Sequence, residues 1–218
     1  MADHIPEAVR AREVEIQPAG LKAILTVPEG ATAMIIFAHG SGSGRLSPRN
    51  NHVAAALRED GFATLLLDLL TPEEERDRAN VFDIELLAER LSMAARWVRA
   101  QPAFSEIPIC YFGASTGAGA ALVAAARYDP SIAAIVSRGG RPDLAGGWLE
   151  KVRAPTLLIV GSLDGPVIDL NKQAYDALQC RKHLTIVNGA GHLFEEPGTL
   201  EEVIVHASAW FGAHHNRR

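Results

Sequence analysis

Cysteine is scarce in this chain of 218 residues, which holds 2. Cys110 lies inside an apolar run and Cys180 follows a helical one, so no disulfide scaffold is expected. Two free thiols in a cytoplasmic protein are the expectation instead. Long apolar runs are also missing. None reaches the roughly 20 residues of a membrane helix, so no membrane partner is expected. Residues 1–7 show neither a basic segment nor an apolar one, and no signal peptide is expected. Positive charge is not in excess: the formal net charge is −5, which argues against a nucleic-acid partner. The glycine loops lack G-x-G-x-x-G spacing, and no G-x-x-x-x-G-K-[ST] occurs, which argues against a bound nucleotide. H-E-x-x-H, H-x-E and cysteine pairs are likewise missing, so neither metal nor cofactor is expected.

What remains is a chain with 48% hydrophobic and 22% charged residues, the balance of a soluble globular protein. Its length suits one domain with a full core. A tail over 1–11 and a single domain over 12–218 are expected, as a monomer or homodimer. Residues 13–18 and 21–27 alternate weakly and predict an antiparallel pair at a sheet edge. Short apolar runs at 33–38, 63–67, 107–112, 133–136, 156–160 and 184–187 predict strands covered on both faces. Helical patterns alternate with them at 50–58, 82–100, 118–127, 170–178 and 200–211. This alternation predicts an α/β architecture, a mostly parallel sheet with helices on both faces. No insertion is large enough for a cap domain. The acidic stretch 71–77 reads most simply as a solvated loop, and alternatively as a lip over a site.

The densest chemical signal is Gly113-Ala114-Ser115-Thr116-Gly117, a G-x-S-x-G sequence between a strand pattern and a helix pattern. Its glycines permit a sharp turn, and the helix that follows aims its N-terminus at whatever the serine attacks. A serine nucleophile needs a base, and the base needs an orienting acid. Asp164 falls just past the strand pattern 156–160, and His192 lies in a glycine-rich loop just past 184–187. The order Ser, Asp, His is the one this strand–turn–helix context requires. Asp143 and Asp169 compete with Asp164 less well, by position. His39 reads as a structural hydrogen-bonder. A tetrahedral intermediate also needs two backbone donors. Thr116 and Ser41, the latter in His39-Gly40-Ser41-Gly42, are the candidates.

With these residues in hand, the chain resembles the dienelactone hydrolase-like group of serine α/β-hydrolases over about residues 33–211. The resemblance rests on the His39-Gly40 loop, the Gly113 to Gly117 turn, Asp164, and His192 followed by Leu193-Phe194. It implies an α/β-hydrolase fold acting without cofactor on a small-molecule ester or lactone. Dienelactone hydrolases carry cysteine as nucleophile, whereas this chain has Ser115, a departure that favours general ester chemistry. A lactonase, an acyltransferase and a catalytically silent binding protein remain as rivals on the same scaffold.

Four arginines sit near loops expected to ring the site: Arg45, Arg49, Arg138 and Arg141. The simpler expectation is that they pair with nearby acids such as Asp68 and Asp143. The sharper one is substrate binding by Arg45, Arg138 or Arg141, with Arg138 foremost, through an anionic group on the substrate.

Overall fold

The computed structural model describes residues 11–215, so nearly all of the expected tail lies outside the described residues. One 8-stranded sheet runs in the order β1-β2-β4-β3-β5-β6-β7-β8. The strands are β1 (Arg12–Ile16), β2 (Leu21–Thr26), β3 (Met34–Ala38), β4 (Ala63–Leu67), β5 (Ile109–Ala114), β6 (Ile135–Arg138), β7 (Thr156–Gly161) and β8 (Lys182–Val187). The first two form the expected antiparallel edge pair, and β2 meets β4 antiparallel; every other pairing is parallel.

Helices α1 (Pro48–Glu59) and α6 (Thr199–His214) cover one face; α3 (Ile84–Arg99), α4 (Thr116–Val123) and α5 (Gly165–Ala177) cover the other. A short α2 spans Arg78–Val81. The two-residue period of a strand sorts the side chains between the faces. Ile36 and Tyr111 pack on the α3–α4 side, while Ile35, Phe37, Cys110 and Phe112 pack on the α1–α6 side. There the rings of Phe37 and Phe112 stand 4.9 Å apart. Truncating either to alanine would cost about 3–5 kcal/mol.

Helix starts follow local chemistry. Ser47 accepts from the Asn50 N–H ahead of α1, and Pro48 occupies the first turn, where its missing N–H costs nothing. Asp83 caps α3 through the Leu86 N–H at 3.0 Å. This cap explains why the helix begins at Ile84 rather than at Phe82, as periodicity alone suggested. Two strands are displaced from their sequence-based ranges, each toward its C-terminus. β5 extends through Ala114, and β6 ends at Arg138 rather than Val136. Parallel pairing with β5, which sets Ala114 opposite Arg138, supplies backbone partners that hydrophobicity cannot report.

Candidate active site

The turn after β5 holds Ser115 at φ 50° and ψ −123°, in the left-handed half of the map. A non-glycine residue there carries strain on the order of 1–3 kcal/mol, sustained by its surroundings. Those surroundings are tight. A Cβ on Gly117 would lie 2.2 Å from the Ala38 carbonyl oxygen, and one on Gly113 would lie 2.5 Å from the Ala118 Cα. Both glycines are therefore required by close approach: one seats the turn against the end of β3, the other against its own helix. α4 starts at Thr116, and as the first residue of the helix its N–H has no partner within it.

Asp164 stands at the start of α5, its side chain 11% exposed, and its Oδ2 lies 2.7 Å from His192 Nδ1. A carboxylate only accepts, so Nδ1 carries the proton and Nε2 is left free. The loop bearing His192 is held from several sides. Gly191 N–H donates to Glu196 at 3.1 Å, and Arg49 of α1 bridges to Glu195 at 2.6 Å. The Gly139 Cα faces the His192 carbonyl so closely that a Cβ would stand 2.7 Å away. Since Gly139 continues β6, beside the end of β5, the histidine loop packs next to the strand that leads into Ser115. No hydrogen bond joins Ser115 and His192 among the described residues. The corresponding bond in ligand-free hydrolytic sites is often long and tightens with substrate.

On the other side of Ser115 lies the Gly40 loop. A Cβ on Gly40 would approach the Ser115 Cβ to 2.8 Å, so this backbone passes directly beside the serine. The Ser41 N–H, expected to face a substrate oxygen, donates to Thr116 Oγ1 at 3.1 Å. His39 is buried; its Nδ1 lies 2.9 Å from the Gly40 carbonyl, and its Nε2 accepts from the Leu69 N–H at 2.9 Å. It thus ties the Gly40 loop to the end of β4, the structural part expected of it. Burial pushes its pKa below the usual histidine value.

A cavity of about 500 Å³ opens beside Ser41, Gly42 and Ser43 and is closed by Glu75, Arg78, Val81 and Phe82. Glu75 belongs to the stretch 71–77, read most simply as a solvated loop and alternatively as a lip, and it lines this cavity next to the site. The stretch is folded there: Glu74 accepts from the Thr71 N–H and pairs with Arg90 at 2.6 Å. A larger cavity, about 710 Å³, lies near Arg153 and Cys180 at the amino ends of β7 and β8. It is at the wrong end of the sheet for chemistry at Ser115, and its size does not decide the matter.

The arginines divide. Arg45 donates to Asp68 from its backbone and its guanidinium. Arg141 grips Asp143 with two bonds of 2.9 and 2.8 Å. Arg138, placed in a loop by the sequence, is the last residue of β6 and 7% exposed, with no such partner. Asp169 is exposed and sits 3.4 Å from Lys172. One supporting residue was not foreseen. Asn171, fully buried in α5, donates to the Gly140 carbonyl at 3.0 Å and so fixes the loop after β6. Its contact spans distant segments and leaves no local pattern in the sequence. Among the described residues, no group of three or more His, Cys, Asp or Glu side chains could hold a metal ion, and no helix is long and apolar enough to cross a membrane.

No protein-family model matches the chain. A solved structure of a dienelactone hydrolase from Anabaena variabilis is 52% identical, with a TM-score of 0.89, over 94% of this chain and 97% of that one. An alpha-beta serine hydrolase homologue from Coxiella burnetii superposes with a TM-score of 0.75 over 92% of this chain and 96% of that one; at 21% identity it speaks for the fold alone. A curated Mycobacterium tuberculosis protein bearing the name "Putative phosphoribosyl transferase" is 57% identical over 94% of this chain. The chain spans about half the length of the curated relatives it matches, 47%.

Proposed function

The chain belongs to the dienelactone hydrolase-like family of α/β-hydrolases, and on that premise we propose that it hydrolyses carboxylic esters of small substrates through an acyl-enzyme on Ser115. One observation carries the reading. A serine in a strained left-handed turn at a helix N-terminus shares the carboxyl end of one sheet with a histidine bonded to a part-buried aspartate at 2.7 Å. Strain at Ser115 has a cost that a plain turn would not require, and the Asp164–His192 bond orients an imidazole that a plain loop would leave unoriented.

In this mechanism His192 Nε2 takes the Ser115 proton as the hydroxyl attacks the carbonyl carbon. Asp164 holds the imidazole in the needed tautomer and stabilises the imidazolium. The Thr116 N–H at the head of α4 receives the developing oxyanion, aided by the helix dipole. Ser41 N–H is the second donor, and to serve it must exchange the Thr116 hydroxyl for the substrate oxygen. The alcohol departs with the proton from His192, and water, activated by the same histidine, releases the acid. No step calls for a cofactor.

A lactonase is the second reading, favoured by the name of the 52% identical Anabaena protein. It uses the same groups on a cyclic ester. The phosphoribosyl transferase name belongs to proteins about twice this length and is not carried over. A fluorophosphonate probe should label Ser115 with loss of ester hydrolysis, and a series of open-chain esters and lactones should then rank the two readings. A folded protein that takes no label and cleaves neither class would end both.

A further inference from the structure

The peptide unit between Gly140 and Arg141 is held at both ends. Its carbonyl accepts from Asn171 Nδ2 at 3.0 Å, and its N–H donates to the Ser115 carbonyl at 3.0 Å. A peptide unit is planar, and in the trans form its C=O and N–H point in opposite directions. This unit is therefore a stiff bar between Asn171 in α5 and the backbone of Ser115. Hydrogen bonds in line polarise one another, so a donor on the carbonyl strengthens the N–H at the far end. The bar is also seated from the side: a Cβ on Gly140 would stand 1.9 Å from Ser137 Oγ and 2.6 Å from the Ala118 Cβ. Backbone strain such as that of Ser115 persists only where the surroundings over-determine it. The Ser115 N–H makes a long bond, 3.4 Å, to the Arg138 carbonyl, so the bonds at its carbonyl from Arg141 and from Ala118, 3.0 and 3.1 Å, are the firmer hold.

Packing alone does not call for asparagine at this place. Asn171 is 0% exposed, and its Nδ2 donates to the Val167 carbonyl at 2.9 Å as well as to Gly140. Two carbonyls at one end of the amide fix which end is nitrogen. Its Oδ1 is buried without a partner among the described residues. A leucine of similar volume would leave no such orphan acceptor, so the donor is the half of the side chain that the site uses. Helix geometry adds the link to the acid. Asp164 stands at the head of α5, and Asn171 follows two turns later on the same face. α5 thus meets His192 through Asp164 and Ser115 through Asn171. We propose that Asn171 is a positioning residue. Through the Gly140–Arg141 peptide it sets the Ser115 turn in register with the helix that carries Asp164, and hence with His192. The inference deepens the esterase reading and rests on it. It assigns Asn171 an effect on the rate of attack, exerted without contact with the substrate.

The test is Asn171→Leu, with Ala174→Gly as control. Ala174 is buried in the same helix and its side chain makes none of these bonds, so its glycine variant weakens α5 alone. With p-nitrophenyl acetate, Asn171→Leu should lower kcat and kcat/KM alike, by roughly 10- to 100-fold, and leave KM unchanged. Labelling of Ser115 by a fluorophosphonate should slow by a similar factor. Asn171→Gln, which keeps an amide donor, should recover part of the loss. Ala174→Gly should lower Tm and leave kcat near native. Amide hydrogen exchange followed by NMR gives a readout free of activity: the Arg141 N–H should exchange about tenfold faster in Asn171→Leu and not in Ala174→Gly. Should Asn171→Leu not fold, Asn171→Ser, whose hydroxyl is too short to reach the Gly140 carbonyl, carries the same comparison. A native kcat in the folded variant overturns the proposal, as does a loss that Ala174→Gly reproduces, or an unchanged exchange rate at Arg141. If the native protein cleaves no ester, the esterase reading fails by itself; the Arg141 exchange then decides whether Asn171 braces the Ser115 turn, and an unchanged rate overturns it.

Discussion

On one side of Ser115, Asp164 and His192 are already bonded at 2.7 Å; on the other, the Ser41 N–H is engaged with the Thr116 hydroxyl at 3.1 Å. The first half joins a carboxylate to an imidazole and stands assembled without substrate. The second half is made of backbone donors, and a backbone donor in a part-buried place finds whatever acceptor is near. The difference teaches that, in the proposed mechanism, the acid–base half needs only to be held in place, whereas the oxyanion half has to trade an internal bond for an external one.

Removing the serine should disable the acid–base half and leave only the oxyanion half acting. Ser115→Ala is expected to lower kcat on the order of 10⁴-fold or more, with the fold retained by circular dichroism. Next in size is the acid–base half. Asp164→Asn keeps the shape but favours the wrong imidazole tautomer, with an expected loss of roughly 10³- to 10⁴-fold. Asp169→Asn, at an exposed ion pair, should leave rates near native, and a reversal of the two would reassign the acid.

The oxyanion half is tested more gently by Thr116→Val, which removes the hydroxyl and keeps the volume. If the hydroxyl merely occupies the Ser41 N–H until substrate arrives, kcat should rise or hold. If it passes polarisation on to the oxyanion, kcat should drop, up to the roughly 10²-fold of a lost donor. We expect the first outcome, and a fall in kcat with KM unchanged would refute it. The smallest effect concerns His39, which anchors the same half. Its native pKa lies below the unfolded value, so above about pH 6.5 both states are neutral and its stabilisation is complete. As pH falls below that value the unfolded chain takes up a proton the native state resists, and stability declines by at most about 1.4 kcal/mol per pH unit. Tm measured from pH 8 to 5 should show this slope in the native protein and lack it in His39→Gln.

Much of this was legible in the chain. The alternation of apolar runs and helical patterns reports a sheet covered on both faces, because strands buried on both sides read as near-continuous apolar runs. Ser115, Asp164 and His192 were each readable as residues that follow a strand pattern, since loops at the carboxyl ends of parallel strands converge by topology. Helix α5 was harder: periodicity shows it only over 170–178, whereas it begins immediately after Asp164, with Pro166 in a first turn that does not need its missing N–H. Glu75 lines the cavity although it lies in the acidic stretch 71–77, whose simplest reading is a solvated loop, because a charged side chain at a cavity has the same sequence signature as one that faces open water.

The sequence by itself determined the order of the chemical groups, the type of sheet and the need for glycine around the serine, since all three follow from local sterics and periodicity. Only the tertiary structure decided which arginines are spent. Arg45 and Arg141 lie near aspartates that neutralise them, and Arg138 lies at a strand end with none among the described residues. All have the same side chain, and no short-range pattern separates them. What separates them is which atoms the folded chain brings within a hydrogen bond of each, and that depends on strands and loops far apart in the sequence.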